Sequence, residues 1–467
     1  MHADVSGQGG ELALGHSRPV FGFKPIRHVS LAQGSGGDEG TSAAAGHFVA
    51  AACGYRFSTA AAAGGTQLLS CGLNTASCQL GHGRDHLAEG DEAVVPLLRL
   101  ISPPSDAQSQ PITMLACGFD HTVALTSQGC VLSWGERNSG QLGVDNDMCS
   151  RPQLVETLAG KRVVHVSAGG SHSLVVALPG DVWAFGSNLR GQLGNGVVAV
   201  ADDDVDREKP VRVHLPDGVL ISACAGGGLH SLALAHDGRI YSWGCNIKGQ
   251  CGVNSGGEGG RDVLFPHLVH VSEIDELVAS QGNGTGGWKM VSAGFSHSVA
   301  LSHTGRVFTW GQCHAPSSDE GVSHVPIEMC LDQYCLEGVR SHSRVEWVAA
   351  AASHSVAVLG DRVVTWGRNK SQRREEPSPP RCHTSVVQHP VSPILNVRVC
   401  RLSFCARTCA CVRRLLHAGP GKAGSEHQAG GCSACPRGGC CSILNRAHPS
   451  TPGMRSHRLR AGHAQVT

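Results

Sequence analysis

Residues 118–143 read Gly-Phe-Asp-His-Thr-Val-Ala-Leu-Thr-Ser-Gln-Gly-Cys-Val-Leu-Ser-Trp-Gly-Glu-Arg-Asn-Ser-Gly-Gln-Leu-Gly. Two short apolar runs, His121–Thr126 and Cys130–Trp134, flank Ser127–Gly129, a connection of hairpin length that ends in glycine. Glycine readily adopts the positive φ that tight hairpin turns need. The stretch therefore predicts two antiparallel strands joined by a short turn.

This unit recurs along the chain, which is the pattern of a repeat architecture. Five further copies open at Gly54, Gly169, Gly227, Gly294 and Ala351 and close at Gly72, Gly186, Gly244, Gly311 and Gly367. The interval from opening to closing residue is almost the same in every copy, including the one at 118–135, whereas the openings themselves are unevenly spaced. A fixed hairpin with variable external loops explains both features.

Flanking segments are expected to complete each unit. The segment after the hairpin continues through Asn138 to Gly140–Gly143, which reads Gly-Gln-Leu-Gly, and runs such as Val163–Val166 lie before the next hairpin. We expect both kinds of segment to supply outer strands, which makes four strands per unit. Small sheets with an apolar face must stack, and stacking around an axis gives an all-β propeller.

The residues that repeat in each copy are expected to serve the fold. They are Gly118, His121, Trp134, Gly135, Gly169, His172, Gly186, Gly227, His230, Trp243, Gly244, Gly294, His297, Trp310, Gly311, His354, Trp366 and Gly367. Ring symmetry spreads equivalent histidines around the axis, too far apart to share a metal at the ~2.0–2.1 Å of Zn–N bonds. We expect each imidazole and the hydroxyl next to it to satisfy backbone groups at a turn between blades. The Trp-Gly pairs are expected to pack the core and to provide a position without a Cβ.

The motif Gly-x-x-His-Ser, followed by Trp-Gly-x-Asn-x-x-Gly-Gln-Leu-Gly, resembles the repeat of the regulator of chromosome condensation family. The resemblance covers about 315 residues, Gly54–Asn369. It implies a seven-bladed propeller. Because the sixth copy stops at Asn369, we expect six recognisable blades and a seventh that is missing or incomplete, with Arg18–Gly22 as a remnant of its N-terminal strand. The first repeat, Ala52–Phe57 with Cys71–His82, most resembles that of the mitochondrial member linked to the Williams–Beuren region.

Composition supports many short strands and excludes several classes of function. Glycine makes up 62 of 467 residues, and charged residues are 16%, below the usual ~25%. No phosphate-binding loop, nucleophile elbow or His-Glu-x-x-His motif occurs, so we expect no hydrolase and no cofactor. The segment Met1–Lys370 carries 24 basic and 34 acidic side chains, a net charge of −10. That balance argues against a general nucleic-acid clamp, which needs clustered positive charge.

We expect three segments: residues 1–46, partly disordered; residues 47–370, the propeller; and residues 371–467, a Cys/Arg-rich tail. The tail carries 14 basic against 3 acidic residues and nine of the 21 cysteines. Cys432-x-x-Cys435 with Cys440 imitates a zinc knuckle, but Phe404 is the only aromatic residue of the tail. We therefore expect disorder, or an alternative or aberrant C-terminus, and no metal site.

The resemblance implies a non-hydrolytic regulator or interaction platform. Family members exchange guanine nucleotide on a GTPase without covalent chemistry, support mitochondrial ribosome assembly, or act as chromatin-associated or ubiquitin-ligase-type scaffolds. We accordingly expect a protein partner, with a GTPase as the first candidate, RNA or ribosomal assembly factors as further partners and no membrane span. A mitochondrial location is expected, with cytoplasm or nucleus as alternatives. An excursion after the third repeat is the candidate partner contact, the alternative being a solvated loop; its acidic residues are Asp202, Asp203, Asp204 and Asp206.

Overall fold

Six four-stranded antiparallel sheets form the blades of a β-propeller. The computed structural model describes residues 48–83, 93–104, 110–144, 149–198, 208–253, 260–281, 286–313, 321–331, 344–360, 362–367 and 389–390. All of these residues belong to the first of the two units into which the chain divides, Met1–Gly419; the second, Pro420–Thr467, lies outside them.

Each blade takes four strands in chain order. Blade 1 has β1 (Ala50–Cys53), β2 (Phe57–Ala62), β3 (Gln67–Asn74) and β4 (Ala93–Ile101), and blade 2 has β5 (Ile112–Cys117), β6 (His121–Thr126), β7 (Val131–Gly135) and β8 (Gln153–Leu154). Blade 3 has β9 (Val163–Ala168), β10 (His172–Ala177), β11 (Asp181–Gly186) and β12 (Val211–Arg212), and blade 4 has β13 (Ile221–Gly226), β14 (His230–Ala235), β15 (Ile240–Gly244) and β16 (Val263–Leu268). Blade 5 has β17 (Trp288–Ala293), β18 (His297–Ser302), β19 (Val307–Gly311) and β20 (Ser323–Glu328), and blade 6 has β21 (Val345–Ala350), β22 (His354–Leu359), β23 (Arg362–Gly367) and β24 (His389–Pro390).

The predicted hairpin is present in the structure. In blade 2, β6 pairs with β7 so that His121 faces Gly135. The turn between them contains Gly129 at a φ of +86°. Gly135 has a φ of +108°, and a Cβ there would lie 2.4 Å from the carbonyl oxygen of Asp120, so only glycine fits.

The fourth strand differs from the expectation. Gly140–Gly143 forms a turn, not a strand, and the fourth strand of blade 2 is Gln153–Leu154. Positive φ values at Gly140 and Gly143 bend the chain, and the Ser133 hydroxyl donates to the carbonyl of Leu142 at 2.7 Å, which fixes the turn. Val163–Val166 does lie in a flanking strand, β9, which is the first strand of blade 3.

Two elements of the structure, a helix and a short strand, are not expected from the sequence. Helix α1 (Ser272–Gln281) precedes blade 5, where no helix is expected, and buries Ile274 and Val278 in the core. Strand β24 pairs with β23 although residues 389–390 lie in the segment for which disorder is expected. Arg18–Gly22, and every residue that would build a seventh blade after β24, lie outside the described residues.

The core lies between neighbouring blades. Each of five clusters of buried apolar side chains draws on two consecutive blades, such as Leu132 and Trp134 of blade 2 with Phe57 of blade 1. First strands of consecutive blades contact one another and therefore line the propeller axis. The turns after these strands and the loops after each Trp-Gly pair open on one side, here called the loop face. The opposite side, which carries α1, is called the helix face.

Candidate interaction surface

The repeat histidines join consecutive blades. Each begins the second strand of its blade and is at most 2% exposed. Nε2 reaches the serine hydroxyl of the next blade in four cases: His121 to Ser173 at 3.0 Å, His172 to Ser231 at 3.0 Å, His230 to Ser298 at 2.9 Å and His297 to Ser355 at 2.9 Å. The bond therefore goes to a side chain of the neighbouring blade, whereas the sequence-based expectation was a backbone group.

In three of these links the serine also fixes which nitrogen of the histidine carries the proton. The hydroxyl of Ser231 donates to the carbonyl of Gln192 at 2.8 Å, so it accepts from Nε2–H of His172. Burial lowers the pKa of His172 to about 4 and that of His230 to about 3, which keeps both imidazoles neutral. The ring of His172 lies against Gly169, where a Cβ would be 2.0 Å from Cε1. This enclosure supports our interpretation that the repeat residues hold the fold.

In the loops after the Trp-Gly pairs, an asparagine accepts a backbone hydrogen bond, and in blade 2 a different residue stands at its position. In blades 3 and 4, Oδ1 of Asn188 and Asn246 accepts the amide of residues 193 and 251 at 3.0 Å. Both asparagines lie two residues after the closing glycine, and in blade 2 that position is Arg137, not Asn138. The amide of Asn138 donates instead to Oε1 of Glu136 at 2.9 Å. Blade 2 thus departs from the repeat at the loop face.

The residue after each opening residue lies around the axis on the loop face. Backbone hydrogen bonds join each of these positions to the next blade: Tyr55 N to Phe119 O (3.0 Å), Phe119 N to Gly170 O (3.0 Å), Gly170 N to the opening residue Gly227 O (2.9 Å), Gly228 N to Gly294 O (3.1 Å) and Phe295 O (3.2 Å), and Phe295 N to Ala352 O (3.2 Å). The backbone conformation at this position is therefore fixed, whereas the side chain differs from blade to blade.

Three aromatic rings occupy this end of the axis. Phe119 stacks on Phe295 with ring centroids 5.8 Å apart and meets Tyr55 edge-on at 6.2 Å. Tyr55 is 45% exposed and Phe295 is 42% exposed. A Cβ at Gly170 would lie 2.8 Å from the ring of Phe119, so the missing side chain makes room for the stack. The rings are held rigidly and remain open to a partner.

On the side of blades 1 and 2, charged residues follow two of the rings in sequence. Arg56 follows Tyr55, Asp120 follows Phe119, and the amide of Glu136 donates to the carbonyl of Asp120 at 2.8 Å. Burial and the nearby Glu136 raise the pKa of Asp120, and Arg56 offsets part of that rise. We call these six residues the axial mouth: Tyr55, Arg56, Phe119, Asp120, Glu136 and Phe295.

The axial mouth was not among the sequence-predicted sites. A signal was present in the sequence, since the residue after the opening position varies through the six copies, as Tyr, Phe, Gly, Gly, Phe and Ala, while the opening residue before it is glycine in five of them. The predicted acidic contact, Asp202–Asp206, lies outside the described residues, as does the tail with Cys432 and Cys435.

Inside the axis lies a cavity of about 110 Å³. It is lined by first strands of blades 2 to 6 and contains His165, whose Nδ1 lies 3.4 Å from Sγ of Cys224. Lys289 also lines it and donates to the carbonyl of Glu346 at 3.3 Å. The volume is below the roughly 300–1,000 Å³ of small-molecule pockets. The exposed mouth is therefore the stronger candidate site.

The described residues contain neither a metal site nor a membrane-spanning helix. No group of three or more His, Cys, Asp or Glu side chains is arranged to hold a metal ion in the described ranges. Among the helices of those ranges, none is long and apolar enough to cross a membrane.

Several known proteins resemble this chain in sequence. The Arabidopsis thaliana ultraviolet-B receptor UVR8 is 30% identical over 299 residues, 63% of this chain and 61% of the receptor. The mouse secretion-regulating guanine nucleotide exchange factor is 29% identical over 77% of this chain and 72% of its own length. Human E3 ubiquitin-protein ligase HERC2 is 34% identical over 54% of this chain but only 5% of the ligase. This chain thus spans less than two thirds of the receptor and a small part of the ligase.

Solved structures and a family profile agree on the architecture. Human WBSCR16 superposes with a TM-score of 0.58 at 22% identity, covering 74% of this chain and 85% of the other. Prp20p of Saccharomyces cerevisiae, described with its binding to Gsp1p and histones, gives 0.51 at 23% identity, covering 65% and 66%. Identities this low show a shared fold. The profile described as RCC1-like domain matches residues 5–411, and the chain therefore belongs to the RCC1-like domain family.

Proposed function

We propose that the chain is a non-hydrolytic regulator whose loop face binds a protein partner at the axial mouth. One observation carries this proposal: Tyr55 and Phe295 are almost half exposed on a backbone held by hydrogen bonds around the axis. Aromatic side chains dominate binding hot spots, and rigid ones lose little conformational entropy on binding. A monomeric fold gains nothing from leaving such rings in water.

The partner in this proposal is a GTPase whose nucleotide release the propeller accelerates. Exchange needs only a surface that stabilises the nucleotide-free partner, so it requires no covalent chemistry. Similarity to the secretion-regulating guanine nucleotide exchange factor over 77% of the chain supports this assignment. The Prp20p structure, described with its binding to Gsp1p, adds support through the fold alone.

A mitochondrial address and a role in ribosome assembly form the finer part of the proposal. They are supported by the first repeat, Ala52–Phe57 with Cys71–His82, and its resemblance to the mitochondrial family member. Ribosomal RNA or assembly factors would then be additional partners. Cytoplasm and nucleus are the alternative locations.

The second candidate is a plain scaffold, which binds a partner without changing its activity. Identity of 34% to a segment of HERC2 favours it, because that segment is a small part of a much larger protein. In that case the propeller recruits substrates or anchors an assembly. Scaffold and exchange factor share the mouth but differ in their effect on nucleotide release.

Nucleotide release separates the two candidates. A panel of small GTPases is loaded with fluorescent GDP, and release is followed with a tenth of an equivalent of this protein. Acceleration that is lost in Phe295→Ala supports exchange, whereas binding without acceleration supports the scaffold. Phe265→Ala is the matched control, since Phe265 is 49% exposed but lies on the outer strand of blade 4. Affinity purification from mitochondrial, nuclear and cytosolic extracts then identifies the compartment of the partner.

A further inference from the structure

Asp120 has unused hydrogen-bonding capacity at the axial mouth. Its Oδ1 accepts a long hydrogen bond from Nε2 of Gln79 at 3.4 Å. Within the described part of the chain, no ion pair or further side-chain hydrogen bond is made by this carboxylate. A partly buried carboxylate without a cation is costly, because burial removes water that would stabilise the charge. The raised pKa of Asp120 is in line with this cost.

The neighbouring carboxylate is already satisfied. Oε2 of Glu136 accepts the hydroxyl of Ser77 from blade 1. Oε1 accepts the amides of Arg137 and Asn138 at 3.0 and 2.9 Å. Glu136 therefore stabilises the loop of blade 2, and Asp120 is left as the mouth carboxylate that can receive a new donor.

We propose that the axial mouth binds an arginine side chain of the partner protein, stacked on the exposed aromatic rings and paired with Asp120. The inference rests on the proposed function, since it names the chemistry of the partner at the same site. A guanidinium is planar, donates two parallel hydrogen bonds to a carboxylate and stacks on aromatic faces. Tyr55 and Phe295 supply exposed faces, and both pack against Phe119, the residue that precedes Asp120.

Charge complementarity over a longer range favours the same occupant. The segment Met1–Lys370 carries a net charge of −10, which attracts basic surfaces. Arg56 acts in the opposite sense, because it lies near Asp120 and repels an incoming cation. The ion pairs of the described residues do not join Arg56 to Asp120, so Arg56 offsets the cost of burying this carboxylate only through its nearby charge.

Two charge-neutralising variants, Asp120→Asn and Arg56→Gln, give opposite results for a cationic and an anionic occupant. Peptides displayed on phage are selected on the full-length protein, and those whose binding is lost in Phe295→Ala are labelled with fluorescein. The proposal expects arginine in these peptides, and about tenfold or greater weakening when arginine is replaced by citrulline. Asp120→Asn should weaken binding to a similar extent, whereas Arg56→Gln should tighten it, because it removes a charge that repels the incoming cation.

The contrary outcomes are equally specific. Selected peptides that carry Asp or Glu, with binding lost in Arg56→Gln and retained in Asp120→Asn, would overturn the cation assignment. Equal affinity of the arginine and citrulline peptides would also overturn it. In those cases the mouth remains a binding surface and the proposed function stands. Failure to obtain any peptide or partner that depends on Phe295 would remove the mouth, and with it the proposed function.

Discussion

Blades 3 to 5 and the sector of blades 1 and 2 are built from the same hairpin but differ at the loop face. In blades 3 to 5, the positions beside the axis hold Gly170, Gly228 and Phe295, followed by Ser171, Leu229 and Ser296. In blades 1 and 2, the same positions hold aromatic residues followed by a charged residue, Arg56 or Asp120. The backbone hydrogen bonds around the axis are shared by both regions.

This comparison separates residues that the ring requires from residues that it only tolerates. His172, Ser231 and Gln192 form one connected link between blades 3 and 4, and equivalent links join blades 2 and 3 and blades 4 and 5. Nothing in that link needs Asp120 or Phe295. Changes at repeat positions should therefore reduce stability, whereas changes at Asp120 and Phe295 should reduce binding and leave stability almost unaltered.

The largest expected effect is a loss of folding stability in mild acid, which acts on the repeat histidines. Burial lowers the pKa of the histidines from 6.5, to about 3 for His121 and His230 and to about 4 for His172 and His354. Below pH 6.5 the unfolded chain binds more protons than the folded chain, so stability falls as pH falls and continues to fall until the folded pKa is reached. At pH 5.5 the loss is about 1.4 kcal/mol per histidine, or roughly 6 kcal/mol for four.

Urea unfolding between pH 7.5 and 5 measures this loss. His172→Gln should reduce the slope of unfolding free energy against pH by about one proton's contribution. His267→Gln removes an exposed histidine and serves as the matched control. A slope that His172→Gln leaves unchanged would contradict the burial of the neutral imidazole.

The sequence predicted the hairpins because their constraints are local. Strand β6 begins at His121 and ends at Thr126, as the alternation of the sequence indicated, and Gly129 supplies the positive φ of the turn. Helix α1 was missed although Ile274, Leu277 and Val278 have helical spacing and acidic residues begin the helix. The helix is a single insertion between blades 4 and 5, so the repeat pattern carries no information about it.

The mouth could not be predicted from local pattern. Phe119 and Phe295 stand far apart in sequence, in blades 2 and 5, and meet only because the propeller brings their turns to the axis. The Gly140–Gly143 turn was misread for a related reason. Its conformation depends on the positive φ of its own glycines and also on the hydroxyl of Ser133, in the strand before it.

Removing one inter-blade hydrogen bond should cause the next largest loss of folding stability. His172→Ala leaves the hydroxyl of Ser231 without its donor and should destabilise the fold by about 1–3 kcal/mol. Ser231→Ala removes the same bond and also the donor to Gln192. Because both changes affect one link, the double variant should lose less than the sum of the two, by about 1 kcal/mol. Additive losses in a urea denaturation cycle would show that the link is not cooperative.

A smaller difference sharpens the contrast between blades 2 and 4. Nε1 of Trp243 donates to the carbonyl of Gln192 at 2.8 Å, whereas Nε1 of Trp134 has no partner among the described residues. Both indoles are fully buried, so replacement by phenylalanine removes similar volume. Trp243→Phe should cost about 1 kcal/mol more than Trp134→Phe, because it alone loses a hydrogen bond. Equal losses in thermal and urea unfolding would show that blade 2 is as regular as blade 4.

The smallest expected effect is the change in stability caused by Asp120→Asn. Its sign distinguishes a binding residue from a residue that supports the fold. The pKa of Asp120 is raised in the folded protein, mainly by burial, so the ionised carboxylate lowers stability at pH 7. Asp120→Asn should therefore be neutral or stabilise by about 0.5 kcal/mol. Glu328 gives the matched control, because its bonds with Arg306 lower its pKa and its ionised form is favoured by folding. Glu328→Gln should destabilise by less than about 1 kcal/mol, since the pair is partly exposed. If urea unfolding at pH 7 shows that Asp120→Asn destabilises as Glu328→Gln does, then Asp120 serves the ring, and the separation between repeat and mouth does not hold at this residue.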